Sequence, residues 1–274
     1  MERKNNMIRL VAFDMDGTFL NSQNDYDRSR FKRIFKQLQE QGIRVAAISG
    51  NQYQQIRSFF TEEANHMTIV SEVGAVIVES GVRIFDAHFE KPVVERVLEI
   101  LHQKDLLKSC SVSGFKALYY AKDLKDDFKQ LIQGHNFVCE EVESLLQLPD
   151  DEITLITLNL PKETVSALLE ELNQATHGQA RAVSSGFGFI DIIPPGVNKG
   201  VALDFLARRW GISPNEVMVF GDSGNDLEML EYATYSYAME GSPEEVIRAA
   251  KFVAPSNNQS GVLEVVEQVL LTSN

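Results

Sequence analysis

The fold is decided by the stretch Ile8-Arg9-Leu10-Val11-Ala12-Phe13-Asp14-Met15-Asp16-Gly17-Thr18, in which a mostly apolar run stops at an acid-rich turn. Short apolar runs of this kind are typical of strands buried on both faces, as in parallel sheets. A second such run, Val217–Phe220, ends at Gly221-Asp222-Ser223-Gly224-Asn225-Asp226. Strand and helix patterns alternate up to about residue 75 and again after Pro194. This alternation predicts a parallel sheet with crossover helices.

The pattern changes in the middle of the chain. A hairpin is expected at Val76–Val78 and Arg83–Phe85, and mixed strands and helices follow it. The predicted fold class is therefore α/β: a Rossmann-like parallel-sheet core with helices on both faces, plus an inserted α+β domain on an antiparallel sheet. The predicted boundaries give a discontinuous core of residues 1–82 and 189–274 and an insert of residues 83–188. Within the second core segment, Ser213–Glu216 and Ser242–Glu245 are expected to cap helices.

Composition narrows the classes of partner. The chain has 274 residues and a net charge of −13, from 26 basic and 39 acidic residues. That charge repels a phosphate backbone and an anionic membrane surface, so neither nucleic acid nor membrane is an expected partner. The two cysteines form no metal-binding or disulfide pattern, and no apolar run reaches the roughly 18 residues that a membrane span needs. We expect a cytoplasmic protein that is a monomer or a weak homodimer.

Four aspartates follow the two buried strands, namely Asp14, Asp16, Asp222 and Asp226. Ligands of open α/β sheets bind at the carboxyl ends of the strands, so neighbouring strands would bring these carboxylates together. A single aspartate after a strand is usually a turn former or a helix cap. Four in two turns are better explained by a cation that offsets their repulsion. Mg²⁺, a hard cation that accepts oxygen ligands and substrate phosphate, is the expected cofactor.

Two further features are candidates for binding an anion. Ser49-Gly50-Asn51 ends a predicted strand and precedes a predicted helix, where a hydroxyl and free backbone N–H groups favour a phosphate. Lys199 lies at the start of a predicted helix, where the helix dipole disfavours a cation. A lysine is most often a solvated surface charge, but one in this position is better explained if it faces an anion.

These motifs, in this order, resemble those of the haloacid dehalogenase-like hydrolase superfamily. The position of the insert is similar to that of the Cof-type branch, whose members carry a large α/β cap. The sequences of three segments resemble those of the bacterial sugar phosphatases of that branch: Ser49-Gly50-Asn51-Gln52-Tyr53, Ser185–Asp191 and Gly221–Asp226. The resemblance covers nearly the whole chain and is most specific in the core motifs.

The resemblance implies a role for each core residue. Asp14 would be the nucleophile and a magnesium ligand, and Asp16 would be the general acid and base, with its backbone carbonyl on the metal. Ser49, Gly50 and Lys199 would bind the transferring phosphoryl group.

The residues after the second strand would complete the site. Asp222 would be a metal ligand, Asp226 would ligate through water or orient its neighbours, and Asn225 would contact phosphate or help to fix the site. Two positions depart from the family pattern: Asn51 stands where many members have arginine, and Val73 where they have asparagine.

The expected function is a Mg²⁺-dependent phosphatase of small phosphorylated metabolites, sugar phosphates above all, which reacts through an aspartyl-phosphate. Two alternatives stay open, a phosphotransferase or mutase on the same scaffold and a non-enzymatic phosphoryl-receiver module. Substrate choice is expected to lie in the insert, with Lys116, Tyr119 and Phe187 as candidate readers of the leaving group. Loss of the Lys199 amine is expected to impair catalysis and to leave stability almost unchanged.

Overall fold

The computed structural model of the chain describes residues 8–134 and 138–271. The strands of this part are β1 (Leu10–Phe13), β2 (Arg44–Ile48), β3 (Thr68–Ser71), β4 (Val76–Glu79), β5 (Val82–Asp86), β6 (Cys110–Gly114), β7 (Leu118–Ala121), β8 (Cys139–Val142), β9 (Ile153–Asn159), β10 (Arg181–Gly186), β11 (Phe189–Ile193), β12 (Val217–Gly221), β13 (Tyr235–Met239) and β14 (Phe252–Ala254). The α-helices are α1 (Arg28–Glu40), α2 (Tyr53–Phe59), α3 (Lys91–Gln103), α4 (Asp126–Gly134), α5 (Lys162–Ala175), α6 (Lys199–Trp210), α7 (Leu227–Tyr232), α8 (Glu244–Ala249) and α9 (Gly261–Val266), and a π-helical turn follows at Glu267–Leu271.

The core sheet has eight strands in the order β14-β13-β12-β1-β2-β3-β4-β5. Strands β14 to β3 in this order are parallel, and β4 and β5 extend the sheet as an antiparallel hairpin. Alternate residues of β1 face opposite sides: Val11 and Phe13 pack with α1 and α9, whereas Leu10 and Ala12 pack with α6, α7 and α8. The predicted α/β core with helices on both faces is therefore confirmed.

The cap sheet has six strands in the order β10-β11-β9-β6-β7-β8. All neighbours pair antiparallel except β7 and β8, which are parallel. Apolar residues of α3 and α5 cover one face. On the other face, which looks towards the core sheet, α4 packs against β7. The predicted inserted α+β domain is present, and it carries the cap side of the site.

Both predicted boundaries of the insert were displaced. The segment Val82–Asp86 pairs with β4 in the core sheet, so the insert begins after Asp86 rather than at residue 83. At the other end, Phe189–Ile193 pairs with β9 and β10 in the cap sheet, so the insert ends after Ile193 rather than at residue 188. An apolar run such as β11 suits the interior of either sheet, so its local sequence does not reveal which sheet it joins.

One of the two predicted capping boxes is wrong. Ser213 and Glu216 form a reciprocal box, although it closes a single 3₁₀ turn at Pro214–Glu216. Ser242 does not cap α8: Pro243 occupies the N-cap position, and the buried Ser242 hydroxyl has no hydrogen-bond partner among the described residues. Among the described residues, no helix is both long and apolar enough to cross a membrane.

Candidate active site

The acid-rich turns meet because their strands are neighbours. Strand β1 pairs in parallel with β12, and the backbone N–H of Asp14 donates to the carbonyl of Phe220 at 3.0 Å. Asp14 and Asp222 therefore follow the carboxyl ends of adjacent strands, as predicted. Gly17 is needed at this junction because its φ is +81° and a Cβ there would lie 2.5 Å from Oδ2 of Asp222. The close approach brings the two turns into one site.

Lys199 joins the two turns through its charge. It is the first residue of α6, only 1% exposed, and its Nζ lies 2.6 Å from Oδ1 of Asp14 and 2.7 Å from Oδ1 of Asp226. Burial alone would lower the pKa of Lys199, but the charges of Asp14 and Asp226 raise it overall. The amine is thus a permanent buried cation, and the alternative of a solvated surface lysine is wrong.

The carboxylates of Asp14, Asp222 and Asp226 could hold a metal ion. One oxygen of each lies within 4.8 Å of the others. Burial raises the pKa of Asp14 well above its usual range, and the neighbouring acids add to this while Lys199 opposes it. Burial and Asp226 raise the pKa of Asp222 to about 7. Such crowding of anions around a single ammonium fits an additional hard cation, which would favour their ionised forms.

Asp226 accepts the most hydrogen bonds of the three acids. Besides Lys199, it accepts hydrogen bonds at Oδ2 from the backbone N–H groups of Asp222 (2.9 Å) and Ser223 (3.0 Å). Its hydrogen-bonding capacity is largely used, which suits a group that positions Lys199 and the turn. Asp222 is bound less completely: one oxygen accepts from the Thr18 hydroxyl at 2.7 Å.

Asp16 is not one of these three close carboxylates, although its charge also raises the pKa of Asp14 and of Asp222. Its Oδ2 accepts a hydrogen bond from Nδ2 of Asn51 at 2.6 Å. Asn51, a departure from the family pattern, therefore holds the proposed acid and base. Contact of the Asp16 backbone carbonyl with a metal stays a prediction.

The predicted phosphate-binding loop lies at the end of β2. Ser49 is buried and its Oγ accepts from the backbone N–H of Asn51 at 3.1 Å, which leaves its proton to donate. Helix α2 begins only at Tyr53 and has seven residues. Ser49 and Gly50 thus lie in a loop ahead of a short helix rather than at its first turn. Asn225 lines the cavity between core and cap, and its Oδ1 accepts a hydrogen bond from the Ser223 hydroxyl at 2.9 Å.

A cavity of about 560 Å³ lies between the core turns and the open face of the cap sheet. Its core side includes Asp14, Asp16, Ser49, Gly50 and Asn225. Its cap side has a polar strip of hydroxyls and one acid, formed by Ser111, Ser113, Thr157, Ser185 and Asp191. It also has an apolar wall, formed by Leu118, Phe128, Leu131, Ile132, Leu155, Phe187 and Phe189.

Of the three candidate readers in the insert, only Phe187 lines this cavity. Tyr119 is 1% exposed and its hydroxyl donates to Oδ2 of Asp151 at 3.0 Å. Lys116 donates through Nζ to the backbone carbonyl of Asp150 at 2.5 Å. Both side chains are committed within the cap, so their selection as substrate readers was wrong.

Two buried acids were missed by the sequence analysis. Asp191 is a lone carboxylate within the apolar strand β11, and that isolation was the available signal. Glu72 follows β3, and burial, together with the charge of Asp191, raises its pKa to about 8. The neighbouring Val73 packs against cap residues Leu155, Val183 and Ile193, so its apolar side chain joins the core to the cap.

Known proteins share both the sequence and the fold. The profile of the family described as haloacid dehalogenase-like hydrolase matches residues 11–266. The 5-amino-6-(5-phospho-D-ribitylamino)uracil phosphatase of Escherichia coli is 39% identical over 263 residues, 96% of each chain. The HMP-PP phosphatase of Cronobacter sakazakii is 28% identical over 230 residues, 83% of this chain and 82% of that one. A crystal structure of a Streptococcus mutans protein has a TM-score of 0.91 at 36% identity and covers 97% of this chain and 100% of that one.

Proposed function

The chain belongs to the haloacid dehalogenase-like hydrolases, and from this membership we propose that it is a Mg²⁺-dependent phosphatase of small phosphorylated metabolites, with sugar and polyol phosphates as substrates. The observation that carries the proposal is Lys199, held between Asp14 and Asp226 beneath the cavity shared by core and cap. A buried cation next to a carboxylate nucleophile suits the transfer of an anionic group.

In the proposed reaction, an oxygen of Asp14 attacks phosphorus in line and the alkoxide of the substrate leaves. Asp16 donates a proton to that alkoxide and then takes one from the water that hydrolyses the aspartyl-phosphate. Ser49, the backbone N–H of Gly50 and Lys199 bind the phosphoryl oxygens. Asn51, bonded to Asp16 at 2.6 Å, orients the acid. Product release leaves Asp14 free and Asp16 protonated again.

Mg²⁺ would be held by Asp14, Asp222 and the Asp16 backbone carbonyl, with Asp226 behind them, and would offset the negative charge of the phosphoryl group. The oxygen-only donor set and the mutual spacing of the three carboxylates fit this ion. Asp226, whose oxygens already accept from Lys199 and the turn, acts mainly by orientation.

A screen of phosphorylated metabolites for phosphate release tests the proposal. We expect release with Mg²⁺, none after treatment with EDTA, and recovery when Mg²⁺ but not Ca²⁺ is returned, because Ca²⁺ prefers longer and looser coordination. The variant Asp14→Asn, prepared in parallel, controls for contaminating phosphatases. Full activity after exhaustive chelation would rule out the metal, and a phosphorylated acceptor in place of free phosphate would identify a phosphotransferase.

The apolar wall favours a second, narrower candidate, in which the phosphorylated chain carries a flat ring. The relative from Escherichia coli is named for a substrate of this kind, a phosphoribitylamino group on uracil. Phe187 is suited to contact such a ring at the mouth of the cavity, where its side chain is 62% exposed. Its φ of +51° at the tip of the β10–β11 hairpin is a strained conformation for a bulky residue, of the kind found at binding sites.

Two substrates with the same phosphorylated chain separate the candidates: ribitol 5-phosphate and riboflavin 5′-phosphate. If a ring is bound, the second should be preferred, and Phe187→Ala should reduce that preference about 2- to 13-fold, the scale of one aromatic contact. Phe252→Ala, another partly exposed phenylalanine outside the cavity, is the matched control. A preference for ribitol 5-phosphate that Phe187→Ala does not change would favour simple polyol phosphates.

A further inference from the structure

Asp191 is a buried acid that the proposed reaction does not use. It is 4% exposed and lies in the middle of β11, with apolar neighbours Ile190 and Ile192 that point to the opposite face of the cap sheet. Carboxylates are almost never buried to this extent unless they are paired or hydrogen-bonded. Among the described residues no cation forms an ion pair with it within 4.0 Å, since Lys199 is engaged by Asp14 and Asp226. Its burial therefore needs another explanation than an ion pair.

The contacts of Asp191 satisfy only part of the carboxylate. Oδ1 accepts a hydrogen bond from the Thr157 hydroxyl at 2.9 Å. Burial raises the pKa of Asp191, whereas interactions with the hydroxyls of Ser185 and Thr157 and the charge of Lys199 oppose this. Two hydroxyl donors leave lone pairs unused on a group that can accept about four hydrogen bonds. The carboxylate retains capacity for a donor from outside the protein.

The free side of the carboxylate faces the proposed phosphate loop. A Cβ on Gly50 would lie 3.1 Å from Oδ2 of Asp191, so the absence of a side chain at residue 50 keeps this oxygen open to the cavity. Gly50 is also the residue whose N–H is proposed to bind the phosphoryl group. Asp191 thus faces, from the cap side of the cavity, the loop that is proposed to bind the phosphoryl group.

The residues around Asp191 favour a hydroxyl group as the donor to its carboxylate. Serine and threonine hydroxyls from three cap strands line the same strip of the cavity, namely Ser111, Ser113, Thr157 and Ser185. Hydroxyls both donate and accept, which suits a chain of substrate hydroxyls. A second anionic group on the substrate would instead be repelled by Asp191.

We infer that Asp191 is a specificity-determining residue, which accepts a hydrogen bond from a hydroxyl of the sugar or polyol close to the phosphoester. This inference rests on the proposed phosphatase function. It assigns recognition of hydroxylated substrates to a carboxylate on the last strand of the cap, and the phosphoryl group itself to the core.

Two phosphate esters of equal chain length test the assignment: ribitol 5-phosphate, and pentyl phosphate, which lacks the hydroxyls. The wild-type chain should prefer ribitol 5-phosphate. Asp191→Asn should reduce this preference, measured as the ratio of the two kcat/KM values, by about 10- to 100-fold, the scale of a hydrogen bond to a charged group. Asp123→Asn, which removes an exposed carboxylate from the cap, should leave the ratio unchanged.

The ratio distinguishes recognition from a structural role. An equal loss on both esters would show that Asp191 only supports the cap, and would overturn the inference. Asp191→Ser, which keeps a hydroxyl for Thr157 and Ser185 to bind, provides the same measurement if thermal denaturation shows that the asparagine variant does not fold. A wild-type chain that releases no phosphate from any ester with Mg²⁺ would overturn the proposed function itself. Activity with an unchanged ratio in both variants would overturn only the role of Asp191.

Discussion

The core and the cap meet at one cavity but contribute different kinds of chemistry. The core side concentrates charge: the buried ammonium of Lys199 lies between Asp14 and Asp226, and Asp222 completes a group of three close carboxylates. The cap side offers hydroxyls, the single carboxylate of Asp191 and an apolar wall. In the proposed function, charge acts on the phosphoryl group that all substrates share, whereas hydroxyls and apolar surface act on the leaving group. On this proposal the core carries out the reaction and the cap selects the substrate.

This division can be broken experimentally. Changes in the core should affect the chemical steps for every substrate, and changes in the cap should alter the order of substrates. A core substitution that changed the order of substrate preference through KM alone would contradict this division of roles. So would a cap substitution that abolished the chemical step for every substrate.

The largest effect is expected for Asp16→Asn. With ribitol 5-phosphate the poor alkoxide leaving group needs a proton, so formation of the phosphoenzyme should slow about 10²- to 10⁴-fold. With p-nitrophenyl phosphate the leaving group needs no proton, so this step should survive much better. The second step needs a base with either substrate, so the variant should release a burst of p-nitrophenol and then turn over slowly.

Asn51→Ala is the matched control for Asp16, since it removes the donor that holds Oδ2 and leaves the carboxyl in place. It should slow turnover without a burst. An Asp16→Asn variant that loses both substrates equally, and in which no phosphoenzyme can be trapped, would contradict the double role of Asp16.

The next effect is expected for Lys199→Ala. Loss of the ammonium that stabilises the transferring phosphoryl group should lower kcat/KM about 10²- to 10³-fold for all substrates. Stability should also fall, contrary to the expectation from sequence, because Asp14 and Asp226 lose the cation between them. Breaking a buried ion pair on one side costs about 3–5 kcal/mol.

Lys199→Met serves as the control, because it keeps most of the side-chain volume and separates lost packing from lost charge. Denaturant titrations without metal should show both variants destabilised. If the two retained wild-type stability, the buried ion pairs would contribute little to folding, and Lys199 would act in catalysis alone.

The sequence predicted well which core residues lie close together, because the signals for their positions are local. Asp14 and Asp222 each follow an apolar strand, and parallel neighbours bring such strand ends together. Lys199 was detectable from its position at a helix start. The burial of Lys199 between two carboxylates depends on long-range contacts, which the local sequence does not show. The loss of stability expected on its removal therefore could not be predicted from the sequence.

The cap site was much less predictable because it depends on register. Asp191 faces the cavity since β11 joins β9 and β10, a pairing that no short segment specifies. The same uncertainty displaced the boundary from residue 188 to after Ile193. Lys116 and Tyr119 have suitable chemistry, but partners within the cap engage both. The residues that line the cap side of the cavity can be identified only when the strand pairing of the cap sheet is known.

An effect on stability alone is expected where the two regions join, at Glu72. Its pKa is raised to about 8, so between the unfolded value near 4.5 and pH 8 the folded chain keeps a proton that the unfolded chain loses. Stability from this group is fully present below about pH 4.5 and is lost as pH rises towards 8, at about 1.4 kcal/mol per pH unit at most.

The variant Glu72→Gln keeps the shape of the side chain and removes its titration. The difference in free energy of unfolding between the variant and the wild type should therefore grow in favour of the variant from pH 5 to pH 8, to a few kcal/mol. Urea titrations across this range measure it, and the comparison with wild type cancels the similar contributions of Asp14 and Asp222. Parallel curves would mean that Glu72 is ionised despite its burial, although its Oε2 has no hydrogen-bond partner in the described part of the chain, and that the contact between core and cap tolerates a charge.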